Sequence, residues 1–534
     1  MLYICTLYSM FKRLRINIKN NHMKRFLITP ILFMVCCLTM TAQPRPKLVV
    51  GIAVDQMRWD YLYRFYDEYS EGGFRRMLGE GFTCENCQIN YIPSITAIGH
   101  ASAFTGSVPS IHGIAGNNFM KDGEYVYCCE DAAEQTVGSD TKNGQRSPRN
   151  LLVTTIGDEL KTATSWQSKV IGISFKDRAA IFPSGHQTDA AYWFDGKALR
   201  FITSTYYMKQ LPQWVDSYNK DIEKQLSTLR KQNKDVREDG KPVSDINLVQ
   251  YTPMGNHITA DMARLAIENE QLGQRGQTDM LTVSFSCTDL VGHRYGTHHE
   301  RTHEQYIELD KELSKLFSYL DGKLGKGQYL VFLTADHGAA NGILQNQEHR
   351  IPSDGFYIPK EEKLLNEHLQ KTFGTEEKLS KRIMDYKVVL DHEAIARTGI
   401  EENKVRASIV DFLKTRPTVM YCFDMEHISE ASIPALIKEK AINGYNRERS
   451  GDIQIILKPA HYAVWEHIDA GTTHGLWNPY DCHIPFVLFG WGVKHGATQA
   501  ECHISDIAPT VCALLHIQAP NGCIGNPVLQ VTDH

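Results

Sequence analysis

Beyond residue 43 the chain alternates short apolar, β-branched runs with longer amphipathic or turn-rich stretches, and no repeat period is evident. The runs fall at residues 48–54, 170–175, 280–285, 329–333, 453–457 and 484–489. Each is apolar on both alternations, the pattern of a strand buried on both faces between layers of helix. The spacing predicts an α/β fold built on a largely parallel central sheet. Two stretches break the rhythm. Residues 186–260 carry the aromatic patch Tyr192-Trp193-Phe194 and then a charged helical segment, and residues 342–450 are rich in Lys and Glu at helical spacing. Both read as insertions over or beside the sheet, with their charge runs as solvated helix faces.

Composition adds limits. At 534 residues, 42% hydrophobic and 22% charged, the chain is globular in type and large enough for a substantial core. Its 57 Lys and Arg stand against 62 Asp and Glu, a net charge of −5, so no cation excess exists to neutralise a nucleic-acid backbone. Duplex binding is not expected.

The first 42 residues differ from the rest. Six basic residues between Lys12 and Arg25, with no acid among them, precede the almost wholly apolar residues 26–40 and the small Thr41 and Ala42. That is the pattern of a cleaved secretory signal peptide, and it is too short to span a bilayer comfortably. Met23, followed by Lys24 and Arg25, is an alternative start that keeps a complete basic region. The expected product is an exported protein, periplasmic or secreted, without a stable transmembrane segment. It carries 51 basic against 62 acidic residues, or −11, so any anion site must be a local concentration of donors and metals. Cys84 and Cys87 have CxxC spacing, but no second pair of zinc-ribbon spacing accompanies them, so a local disulfide or two buried thiols is expected.

Candidate chemistry sits where the strands end. The run at 48–54 leads into Asp55, the run at 280–285 into Asp289, and the run at 329–333 into Asp336-His337-Gly338. In an open parallel sheet the carboxyl ends line one edge, where ligands bind, so these distant carboxylates are expected to converge. One Asp after a strand is an ordinary turn former or helix cap. Three of them with imidazoles nearby form a pattern. His293 stands one helical turn after Asp289, His337 adjoins Asp336, and His474 lies in Gly471-Thr472-Thr473-His474-Gly475. Mixed His and Asp ligation suits Zn²⁺, and six ligands suit two sites with open positions. Paired metals about 4 Å apart clamp the attacking and leaving oxygens of an in-line phosphoryl displacement. Thr96 is predicted at the start of a helix, where free N–H groups favour an anion and a hydroxyl beside a metal is easier to deprotonate.

The ordered set of motifs resembles the alkaline phosphatase superfamily, and most closely its bacterial branch of threonine-nucleophile, phosphate-irrepressible alkaline phosphatases. The motifs are Val54-Asp55-Gln56-Met57-Arg58, the segment from Pro93 to His100, Thr105-Gly106-Ser107, His112-Gly113-Ile114-Ala115-Gly116-Asn117, Thr334-Ala335-Asp336-His337-Gly338, the His474 loop and Asp506-Ile507-Ala508-Pro509-Thr510. The resemblance implies a three-layer sandwich with inserted cap segments, forming one catalytic domain over residues 43–534. It implies two zinc ions, one held by Asp289, His293 and His474 and the other by Asp55, Asp336 and His337, with Thr96 bridging toward the second. It also implies that Asn117, Lys176 and Arg178 hold the phosphoryl oxygens. Two cations aimed at those oxygens favour monoesters, which present more negative charge than diesters.

The expected reaction is therefore hydrolysis of small-molecule phosphate monoesters to an alcohol and inorganic phosphate through a phosphothreonine on Thr96. A phosphodiesterase or nucleotide pyrophosphatase of the same superfamily is the nearest rival, and a non-catalytic zinc-dependent surface binding protein a remote one. A sulfatase is disfavoured, because Thr96 is followed by Ala97-Ile98-Gly99-His100 rather than standing in Cys/Ser-x-Pro-x-Arg. The natural leaving group and the oligomeric state leave no signature in the sequence.

Overall fold

Seven consecutive apolar or small residues, all buried, make the strand around which the fold is built: β1, Leu48–Val54. The structure is a computed structural model that describes residues 45–234, 236–238 and 241–532. The leader expected in residues 1–42 lies outside the described residues.

In chain order the next strands are β2 (Phe82–Cys84), β3 (Thr136–Val137), β4 (Val170–Ser174), β5 (Ala190–Asp195), β6 (Arg200–Ser204), β7 (Asp279–Phe285) and β8 (Tyr329–Thr334). Four strands of a separate lobe follow: β9 (Ser380–Met384), β10 (Lys387–Leu390), β11 (Val419–Asp424) and β12 (Ile453–Leu457). The chain then returns as β13 (Phe486–Gly490) and β14 (Gly496–Thr498). The main sheet has ten strands in the order β14-β2-β13-β8-β1-β7-β4-β5-β6-β3. Its centre, from β8 through β5, is parallel, and antiparallel pairs flank it on both sides.

Helices cover both faces. Phe104 of α1 (Thr96–Thr105) packs on Phe332 of β8 with ring centroids 5.5 Å apart. Phe317, on the long helix Glu300–Leu324, packs at 5.5 Å on Phe489 of β13. Phe489 pairs with Val331, the neighbour of Phe332, so the two contacts lie on opposite faces of the sheet. This is the expected three-layer arrangement.

Two boundaries differ from the sequence reading. Residues 186–260 are not wholly an insertion: β5 and β6 extend the main sheet, and the helix Met254–Asn269 packs on it. The aromatic patch that suggested an appended segment is sheet core, with Tyr192 and Trp193 buried. Conversely, the run at 453–457 is not a main-sheet strand but lies inside the lobe's sheet, ordered β9-β10-β12-β11. A continuous apolar run records burial on both faces, and the lobe buries β12 along its whole length just as the main sheet buries β1. Cys84 and Cys87 are buried thiols without a disulfide. Among the described residues no helix is long and apolar enough to cross a membrane.

Candidate active site

The register of the parallel strands makes the site. Val54 pairs with Phe285 and Ala53 with Thr334, so β1, β7 and β8 end side by side and deliver Asp55, Asp289 and Asp336 to one edge. All three carboxylates are buried. Ligand-type atoms cluster in two groups whose members lie within 4.8 Å of one another: Asp289, His337 and His474, and Asp55, Asp336 and His337. His337 thus adjoins both groups. His293, on the helix Cys287–Tyr295, stands at the rim with Nε2 3.1 Å from Asp289 Oδ1. The rings of His337 and His474 stack with centroids 3.4 Å apart, and that of His293 lies 5.1 Å from His474.

Each imidazole is oriented from behind. Nδ1 of His293 lies 2.8 Å from Thr472 O, that of His337 2.9 Å from Gly338 O, and that of His474 2.7 Å from Ser94 O. A carbonyl only accepts, so Nδ1 carries the hydrogen and each Nε2 is turned toward the carboxylates, the orientation that metal-ligating histidines take. Asp55 Oδ1 and Asp336 Oδ2 are buried without a hydrogen-bond partner among the described residues. The ammonium of Lys176 lies 2.7 Å from Asp55 and 2.5 Å from Asp289. Buried like charges with unbonded oxygens need cations close by, so this donor set fits divalent ions.

The electrostatics follow the crowding. Burial pushes the Asp55 carboxyl well above the usual range, and the Asp336 charge adds to it. Burial acts the same way on Asp289, but His293 and Lys176 outweigh it and hold that carboxyl well below its ordinary value. For Asp336 the opposing groups are His337 and His100. Burial, with His337 and His293 alongside, keeps the His474 ring well below its ordinary value and hence neutral, the form that ligates.

Thr96 is the first residue of α1 and is buried, with Oγ1 3.3 Å from His337 Nε2. One turn on, His100 ties this helix end to the sheet: Nδ1 lies 2.9 Å from Thr96 O and Nε2 2.8 Å from Ser284 Oγ on β7. Ala97 N–H donates to Asn117 Oδ1 at 3.1 Å, so the Nδ2 amide, with no partner among the described residues, is available as a donor. Lys176 and Arg178 flank the start of the helix Asp177–Ser184. Arg178 Nη1 donates to the Tyr127 hydroxyl at 3.0 Å, and that hydroxyl donates to Asp177 Oδ1 at 2.5 Å. Arg178 Nε is buried with no partner among the described residues. All ten site residues singled out in the sequence therefore belong to one neighbourhood.

Three contributors had no signal of their own. Gln56, at φ 64°, donates its backbone N–H to Asp336 Oδ1 at 3.1 Å and its Nε2 to Asp289 Oδ1 at 2.7 Å, tying two carboxylates together. Its place directly after Asp55 was the only clue, because a neutral amide advertises no chemistry. Asp385 and Tyr386, from the lobe, line a cavity of about 880 Å³ whose lining also includes Asn117, His293 and His474. Nothing in the sequence connects a hairpin tip so distant along the chain to this edge.

A profile of the type I phosphodiesterase / nucleotide pyrophosphatase family matches residues 49–477. Alkaline phosphatase PafA of Elizabethkingia meningoseptica is 45% identical over 523 residues, covering 92% of this chain and 95% of that protein. A Myroides odoratus protein named calcium-transporting ATPase is 45% identical over 525 residues, with coverage of 92% and 95%. The crystal structure of wild-type alkaline phosphatase PafA matches with a TM-score of 0.86 at 44% identity, covering 92% of this chain and 100% of that one. With a sheet edge that gathers three carboxylates, three imidazoles and a helix-start hydroxyl, and with these relatives, the chain belongs to the type I phosphodiesterase / nucleotide pyrophosphatase family of the alkaline phosphatase superfamily.

Proposed function

We propose that the protein is an exported alkaline phosphatase that hydrolyses phosphate monoesters through a covalent phosphothreonine on Thr96, with two zinc ions. The observation that carries this reading is the buried Thr96 hydroxyl beside the two ligand groups, with Lys176 and Arg178 close by, in a chain 45% identical to an alkaline phosphatase. Asp289, His293 and His474 would hold one ion and Asp55, Asp336 and His337 the other. Bound zinc supplies Lewis acidity, favouring the ionised Thr96 hydroxyl and neutralising charge on the departing oxygen.

The protein's own groups do the rest. The free N–H groups at the start of α1 and the Asn117 amide orient the phosphoryl oxygens, and Lys176 and Arg178 balance their charge. Thr96 Oγ gives up its proton and attacks phosphorus in line as the bond from phosphorus to the leaving oxygen breaks, and that oxygen takes up a proton from solvent to leave as the alcohol. Water entering from the side the alcohol left then cleaves the Thr96 Oγ–phosphorus bond, restoring the hydroxyl and releasing inorganic phosphate. The ATP hydrolysis in the name of the Myroides relative is also phosphoryl transfer to water. Diester hydrolysis is the second reading, favoured by the family profile. Against it stands the Lys176 and Arg178 pair, which suits the more highly charged monoester.

Phosphate release from several monoesters and one diester decides between them. The monoesters should be cleaved faster, chelation should abolish turnover and zinc should restore it. Thr96→Ala should lower turnover by about 10³-fold or more and remove the phosphoryl label on the protein. Full turnover in that variant, or a preference for the diester, would overturn the assignment.

A further inference from the structure

The hairpin joining β9 to β10 has the shortest regular turn. Met384 pairs with Lys387, leaving Asp385 and Tyr386 as the whole loop. Both residues have positive φ, 48° and 60°, as a type I′ turn requires. Asn-Gly or Asp-Gly usually fills such a turn, because a larger side chain on the second residue is crowded there. A bulky residue retained in a strained position raises the question of what it touches.

Tyr386 touches the loop that carries His474. Its hydroxyl donates to His474 O at 3.4 Å and accepts from Ala463 N–H at 3.2 Å. Its ring fills the space over Gly475, where a β-carbon would meet it at 2.8 Å. The anchored ring fixes its neighbour. The Asp385 carboxylate stands in the cavity against Gly116, where a β-carbon would come within 2.3 Å of Oδ2, one residue from Asn117. Lys387, the cation whose charge acts on it, turns its ammonium to Gly444 O at 3.3 Å. Around the cavity Glu362, Glu466 and Asp469 outnumber Lys381 and Arg382, and the Arg382 guanidinium lies 4.0 Å over the Tyr125 ring.

We propose that Asp385 selects substrates by charge, slowing those whose leaving group is itself anionic and sparing those whose leaving group is neutral or cationic. The inference rests on the monoesterase reading, which puts the phosphoryl group against Asn117 and the alcohol on the lobe side of the cavity. A carboxylate about 7 Å from a second anion in a half-solvated cavity changes a rate by about 5- to 10-fold. Burial pushes the Asp385 carboxyl up to about 6, so at pH 8 the side chain is charged.

The test compares kcat/KM at pH 8 for phosphoglycolate, ethyl phosphate and phosphoethanolamine in the unaltered protein and in Asp385→Asn, which keeps the side chain's shape. The preference for ethyl phosphate over phosphoglycolate should fall by about 5- to 10-fold in the variant. In the unaltered protein the same preference should narrow between low and high salt, and in the variant it should not. A preference that is equal within twofold in both proteins overturns the charge role, as does an equal loss on all three substrates. Turnover of none of the three by the unaltered protein overturns the monoesterase reading, and this one with it.

Discussion

His112 links the loop that leads to Asn117 to the helix that begins at Thr96. It is fully buried, its Nδ1 accepts from Ile114 N–H at 3.1 Å, and its Nε2 therefore carries the hydrogen that Ser102 Oγ on α1 accepts at 3.0 Å. Burial pushes this imidazole down to about 3, and the positive Arg449 nearby acts the same way. The sign follows from which state takes up the proton. The unfolded chain binds it near 6.5 and the folded protein resists it until about pH 3, so stability is fully present above 6.5 and is lost as the pH falls between those values. At pH 4 the loss amounts to about 3 kcal/mol. Urea unfolding at pH 7 and pH 4 should show that the unaltered protein loses about 3 kcal/mol more between the two than His112→Gln does. Equal losses would mean that the ring is protonated, or exposed, in the folded state.

At the level of elements, the decisive contact is between α1 and the loop after β8. A β-carbon on Gly99 would fall 2.1 Å from the Asp336 carbonyl oxygen, a backbone atom that cannot turn aside. Ordinary helix propensity favours Ala over Gly by about 1 kcal/mol. Here the sign should reverse: Gly99→Ala must push α1 away from the loop that carries Asp336 and His337, and Thr96 moves with it. The expected outcome is a lower melting temperature together with a fall in monoesterase kcat of about 100-fold, since misplacement of about 1 Å suffices for that. A stabilised, fully active variant would show that the helix has room. The same contact explains what could be read from the sequence. Strand ends could be read because a buried run closed by Asp fixes where a carboxylate goes: the three acids, His337, His474 and Thr96 lie at one edge, with His293 beside Asp289. Gln56 could not, because its role comes from a positive φ and two hydrogen bonds that no residue-type pattern encodes. Neither could the place of the run at 453–457, whose hydrophobicity is the same in either sheet.

Across the whole molecule the apolar side chains form more than one core. The main sheet and its helices make the largest, while Val388, Leu390, Ile453 and Ile455 of the lobe belong to another that includes Ile409 and Leu413 of the helix Glu402–Lys414. The lobe reaches the catalytic edge through the Asp385–Tyr386 tip, and β12 holds that tip: Ile455 N–H and Gln454 Nε2 both donate to Tyr386 O, at 2.8 and 3.0 Å. Weakening the lobe's core should therefore loosen the lobe and its tip before the main sheet. Ile455 is fully buried, and removing such a side chain to Ala costs about 2–5 kcal/mol. Hydrogen exchange of Ile455→Ala should accelerate the amides of β9, β10 and β12 by about 30-fold or more, the equivalent of about 2 kcal/mol. Amides of β1, β7 and β8 should change far less. Because Tyr386 braces the His474 loop, kcat should fall as the lobe loosens even though no carboxylate or imidazole of the site has been altered. Acceleration of equal size in the lobe and the central strands would show instead that the two cores open as a single cooperative unit.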